Sequence, residues 1–254
     1  MLTYRNIVFI VVLVFYCCTA VFSAVRLIQY GFKKATSERI LLVFSIGRIL
    51  CSAFQLATTS DPTNTSLWAG YVTTFSICVS LLISSSLVLL RRLAQRAGSD
   101  FPTFLNRNPM TLCQSIVYVG LILGIAGGIK ANKNWDKTGH YSSDGLLKAS
   151  NGIFLASWII TILMTSFTLG RASGTMVKKE RLAVAGFAIS LPLLLVRIVY
   201  SFVSAFFNPQ SFSSIYGDVT VMLCMALLEE MAIALVYQGL GMVTLEKERR
   251  SESV

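Results

Sequence analysis

Charged residues are scarce in this sequence, since only 13% of its 254 residues are Asp, Glu, Lys or Arg. A soluble domain carries about 25%. Hydrophobic residues make up 54% of the chain, and the mean hydropathy is +0.67. These values exclude an ordinary soluble enzyme and predict a protein embedded in lipid.

The residues that most often hold metals or carry catalysis are also few. The single histidine, His140, lies in a predicted loop, which argues against histidine acid/base or triad chemistry. The six cysteines lie within or beside apolar runs, and their spacing fits neither a metal site nor a disulfide framework. No glycine-rich phosphate loop is present. We therefore predict neither a metal nor a cofactor.

Seven apolar runs are long enough to cross a bilayer as helices, because a crossing needs about 20 residues. They predict one polytopic domain over residues 1–254, an all-α bundle of seven transmembrane helices. The predicted helices cover residues 7–30, 40–59, 67–90, 111–129, 150–170, 182–206 and 218–243.

The distribution of basic residues predicts the orientation of the bundle. Most of them follow helices 1, 3 and 5 or lie in the C-terminal tail, whereas the opposite side has far fewer. The positive-inside rule then predicts a cytoplasmic C-terminus and a lumenal or outside N-terminus. In this interpretation the net charge of +10 serves topology and contacts with membrane lipids, and not binding to nucleic acid.

Glycines recur at a spacing of four in helix 4, at Gly120, Gly124 and Gly128. This pattern lets a neighbouring backbone approach closely. Packing within the bundle is the favoured interpretation, and a dimer interface is the alternative.

Four ionisable residues lie in the middle of apolar runs: Arg48, Arg197, Glu229 and Glu230. Each costs at least about 2.5 kcal/mol at a helix centre without a partner. Arg48 lies at the same predicted depth as the two glutamates, and Arg197 is nearer the outer face, where Asp218 or a glutamate is within reach. Glu230 is favoured as the interior glutamate because it shares a helix face with small residues.

Two interpretations of these charges remain open. They either fix the packing of the bundle or form a site in a polar cavity between helices 2, 3, 6 and 7. In the second case Glu230, Glu229, Arg48 and Arg197 are the candidate catalytic residues. Gln55, Ser80, Tyr200 and Tyr237 are the candidate substrate-binding residues.

Three segments resemble a family of fungal seven-helix integral membrane proteins of unknown function. They are Gly47-Arg48, the run from Leu191 to Tyr200, and Glu229-Glu230. The chain is also similar in size and class to small integral membrane terpene cyclases, which use buried carboxylates. The first resemblance implies a fold, and the second adds an analogy in chemistry.

The expected function is acid/base conversion of a lipophilic polyketide or terpenoid intermediate in fungal secondary metabolism. Cyclisation, isomerisation and epoxide opening are the reactions that fit. The alternative is a non-catalytic membrane protein, either a receptor or sensor for a lipophilic ligand or a scaffold. The expected location is the endoplasmic reticulum membrane.

Overall fold

The computed structural model is entirely helical in its regular elements, and it describes residues 4–31, 35–61, 63–96, 109–138, 144–172, 178–207 and 217–252. The first six helices each form one span. The seventh span consists of α7, a π-helical turn at Leu223–Leu227, and α8. The α-helices are α1 Tyr4–Tyr30, α2 Thr36–Ser60, α3 Thr65–Arg96, α4 Pro109–Thr138, α5 Gly145–Ala172, α6 Lys178–Phe206, α7 Val219–Met222 and α8 Leu228–Glu252.

Within the described ranges, seven helical segments are long and apolar enough to span a membrane, as the sequence predicts. The chain therefore has the construction of a multi-pass membrane protein. The helices run past the predicted apolar runs, most clearly in α4, which continues to Thr138, and in α8, which continues to Glu252. Polar residues can extend a helix beyond the lipid, so hydropathy marks the membrane-crossing part and not the helix ends.

The third helix is the centre of the bundle. Two thirds of its apolar window, 67%, is buried inside the protein, against 33–50% for the other six spans. It packs against α2, α4, α5, α6 and α8. The outer surface is apolar, with Ile28 78% exposed and Ile122 65% exposed, as expected for side chains that face lipid.

The glycines of α4 pack inside the bundle, which confirms the favoured interpretation of their spacing. A Cβ at Gly120 would meet Phe154 of α5, and one at Gly128 would meet Thr73 of α3. The closest approach to backbone atoms is at Gly127, where a Cβ would lie 2.6 Å from the nitrogen of Leu147. The chain of α4 therefore passes directly against the first turn of α5.

Two aspartates cap helices at the ends of the spans. Asp144 accepts a hydrogen bond from the backbone of Leu146 and forms a 3.1 Å ion pair with Lys130. The backbone hydrogen bond is the main reason that the pKa of Asp144 lies below its usual value. Asp218 accepts a 2.8 Å hydrogen bond from the backbone of Thr220 at the start of α7. Asp218 therefore acts as a cap and is exposed to solvent.

Candidate functional site

Three of the predicted charges meet in the bundle core. Arg48 comes from α2, Arg197 from α6 and Glu230 from α8. The Nη2 of Arg48 forms an ion pair with Oε2 of Glu230, and the Nε of Arg197 donates to its Oε1. We call these three residues the charge cluster. The predicted depth match of Arg48 with the helix 7 glutamates is confirmed, and the acidic partner of Arg197 is Glu230.

The charge cluster is sealed from solvent and from lipid. Glu230 and Arg197 are 0% exposed, and Arg48 is 1% exposed. The ring of Phe75 from α3 packs against both guanidinium groups, with its centroid 4.2 Å from Cζ of Arg197 and 5.0 Å from Cζ of Arg48. Arg197 also donates to the hydroxyl of Ser201 and, over 3.4 Å, to the backbone oxygen of Phe75. The cluster therefore joins four helices through side chains packed around one carboxylate.

Two guanidinium cations contact one carboxylate, so the charge cluster has one surplus positive charge. The next residue, Glu229, is within electrostatic reach of Arg197. It is partly exposed, and its Oε2 is buried without a hydrogen-bond partner among the described residues. Glu229 is thus the glutamate with an unused acceptor, whereas both oxygens of Glu230 are engaged.

The predicted substrate-binding residues do not gather at one point. Tyr200 lies beside the cluster, with its ring 5.9 Å from Cζ of Arg197. The amide of Gln55 donates to Thr58 over 3.2 Å, and Ser80 donates to the carbonyl of Ile77 over 2.7 Å. Each of these two contacts stays within its own helix. Gln55 lies two turns along α2 from Arg48, a separation of about 10 Å.

Tyr237 belongs to a second polar group, two turns along α8 from Glu230. Its hydroxyl is 2.5 Å from the hydroxyl of Ser86 and accepts a 3.3 Å hydrogen bond from Ser190. These hydroxyls link α3, α6 and α8. The structure therefore places Tyr237 in a connection between helices, separate from the charge cluster.

Aromatic and sulfur-bearing side chains surround the charge cluster, and sequence reasoning missed them. Tyr16, Tyr71, Cys51 and Cys78 are fully buried and lie within electrostatic reach of Arg48. The hydroxyl of Tyr16 has no hydrogen-bond partner among the described residues. These residues and Phe75 lie on apolar helix faces. The sequence pattern of such a face does not distinguish a residue that contacts an arginine from one that only packs in the core.

A second buried ion pair was also missed. Arg26 of α1 contacts Glu38 of α2 over 3.2 Å and donates to the backbone oxygen of Gln238 in α8 over 3.4 Å. The apolar pattern predicts that helix 2 begins at residue 40, which places Glu38 in a loop. A Cβ at Gly241 would collide with the carboxylate of Glu38, so this glycine makes room for the pair.

Among the described residues, no group of three or more His, Cys, Asp or Glu side chains is placed to hold a metal ion. A family model described as a domain of unknown function, DUF7702, matches residues 2–248. The chain belongs to this family. No curated protein and no solved structure matches it.

Proposed function

We propose that this DUF7702 chain is a non-catalytic seven-helix receptor or sensor for a lipophilic ligand. The single observation that separates this proposal from an enzyme acting through Glu230 is the closure of the charge cluster. A general acid or base must come within hydrogen-bond distance of its substrate. Both carboxylate oxygens of Glu230 already contact arginines, and all three side chains are at most 1% exposed.

The π-helical turn favours a responsive protein over an inert scaffold. It occupies Leu223–Leu227, directly before the α8 segment that carries Glu230. Single π-helical turns within α-helices are frequent at functional sites. A ligand that shifts this turn would change how Glu230 is shared between α2 and α6. The proposed signal is that change in helix packing.

The second candidate is the acid/base enzyme of fungal secondary metabolism, acting on a lipophilic polyketide or terpenoid intermediate. Glu229 is the observation that favours it. Its carboxylate is partly exposed, lies near Arg197, and has one oxygen without a hydrogen-bond partner among the described residues. Cyclisation, isomerisation and epoxide opening each need such a proton donor or acceptor.

Metabolite profiles separate the two candidates. We expect lipid-soluble extracts of the source organism to show no precursor accumulating at the expense of one product when the gene is deleted or when Glu229 is replaced with Gln. An enzyme would instead produce a matched pair of compounds of equal mass for cyclisation or isomerisation, or differing by one water for epoxide opening. Appearance of such a pair in both strains would overturn the receptor proposal.

The orientation and organelle also belong to this proposal. The loop charges support a cytoplasmic C-terminus, and the membrane proposed for the chain is that of the endoplasmic reticulum. A glycosylation tag fused after Val254 should remain unmodified, and the same tag before Met1 should acquire sugar. Electrophoretic mobility before and after glycosidase treatment measures both. Sugar on the C-terminal tag would reverse the orientation.

A further inference from the structure

An open groove lies on the outer face of the bundle between α2, α3 and α4. Its volume is about 670 Å³, which is within the range of about 300–1,000 Å³ for small-molecule sites. It is at the end of the bundle where α2 begins, α3 ends and α4 begins. None of the residues of the charge cluster lines it. The groove is therefore a separate site.

One end of the groove is strongly basic. Arg39 of α2 and Arg91 and Arg92 of α3 line it, and none of the lining residues is acidic. Arg39 and Arg91 are exposed, and neither forms an ion pair among the described residues. Arg92 is half-buried and is within electrostatic reach of Glu38. Arg39 and Arg91 are thus the two cations most available to an anion.

The rest of the groove becomes less polar along the helices. Thr111, Gln114 and Ser115 of the first turns of α4 supply hydroxyl and amide groups near the basic end. Val43 and Leu81 line the part that lies further into the membrane span. The groove therefore presents cations, then neutral polar groups, then a wall that is apolar apart from Ser84. This is the order of chemical groups along a phospholipid.

We infer that this groove binds an anionic phospholipid whose head group carries a phosphomonoester. Arg39 and Arg91 contact the phosphate, and an acyl chain lies against Val43 and Leu81. Arginine suits this role because its planar guanidinium group donates two parallel hydrogen bonds to phosphate oxygens. A choline head group would bring its own cation against these arginines. The site is independent of the proposed receptor function, because it shares no residue with the charge cluster.

Binding of dioctanoyl phosphatidic acid to the purified full-length chain in detergent tests the inference, with native mass spectrometry as the readout. We expect phosphatidic acid to bind more tightly than phosphatidylserine and phosphatidylcholine. Replacing Arg39 and Arg91 with Gln should weaken phosphatidic acid binding about 30-fold, since each arginine near a lipid surface contributes about fivefold. Leu81→Trp, which fills the apolar part, should also weaken it.

The matched control is Lys133→Gln, which removes an exposed positive charge at the opposite end of α4. It should leave phosphatidic acid binding unchanged, and the melting temperatures of all variants should stay near that of the parent chain. An equal loss in Lys133→Gln would mean general charge attraction and would overturn the site. So would full binding by the double arginine variant. Competition by inorganic phosphate at the same concentration would identify a free anion as the ligand and overturn a lipid.

Discussion

Replacing Glu230 with Gln should destabilise the protein more than any other single change in the charge cluster. The glutamine would leave two guanidinium groups facing one another with 0–1% exposure and without their shared carboxylate. Removing one partner from a buried ion pair costs about 3–5 kcal/mol. We expect a strong decrease in the melting temperature of the purified protein in detergent, or loss of the folded protein on expression.

Charge balance predicts the order of the other variants in the same assay. Arg48→Met leaves Arg197 and Glu230 as a neutral pair, so it should cost less than half as much as Glu230→Gln. Adding Arg48→Met to Glu230→Gln removes one of the two opposing cations and should restore part of the stability. A triple change of Arg48 and Arg197 to Met and of Glu230 to Leu removes every charge of the cluster and should come close to the parent chain.

The series also checks whether the cluster is one unit. If Arg48→Met is as damaging as Glu230→Gln, Glu230 does not hold both arginines together. If Glu230→Gln melts at the parent temperature, the two cations do not need the carboxylate, and the role given to Glu230 is wrong.

The second large effect is expected at Gly127, where alanine should destabilise the bundle by about 1–3 kcal/mol. A Cβ there would lie 2.6 Å from the nitrogen and 3.0 Å from the Cα of Leu147. Because these atoms are backbone, no rotamer change relieves the clash, and α5 must move away from α4. A lower melting temperature in detergent is the measurement.

Gly152 in α5 provides the matched control for that substitution. A Cβ at Gly152 would meet nothing within 4 Å. Gly152→Ala should leave the melting temperature unchanged or raise it, because alanine is the better helix former by up to about 1 kcal/mol. Equal behaviour of the two variants would show that α4 and α5 are less closely packed than the structure indicates.

The sequence is informative about the spans and about the depth of buried charges, because both depend on hydropathy and on a fixed rise per residue. It predicts seven crossings and places Arg48 level with the helix 7 glutamates. It also singles out Glu230 through the small-residue face of α8, where Ala234 and Tyr237 are buried as expected. These predictions succeed because each depends only on a residue's position along its own helix.

Contacts between helices are harder to predict. The π-helical turn at Leu223–Leu227 contains only Leu, Cys, Met and Ala, with no proline, glycine or serine to mark an irregularity. It interrupts the helical phase, so a helix face cannot be extended from α7 into α8 on the sequence alone. Phe75 could not be assigned to the charge cluster, because its position depends on how α3 lies against α2 and α6. Gly127 was missed because it falls outside the spacing of four.

The order of the helices along the chain has a consequence for biosynthesis. Arg48 enters the membrane with the second span and Arg197 with the sixth, but Glu230 arrives only with the seventh. An arginine at the centre of a helix costs about 2.5–3.5 kcal/mol to insert when no partner is present. Until translation of α8 is complete, both cations must therefore be tolerated by the insertion machinery, by water or by lipid head groups. A nascent chain that stops before α8 would carry two uncompensated charges, so we expect the bundle to become stable only when the last span has been inserted.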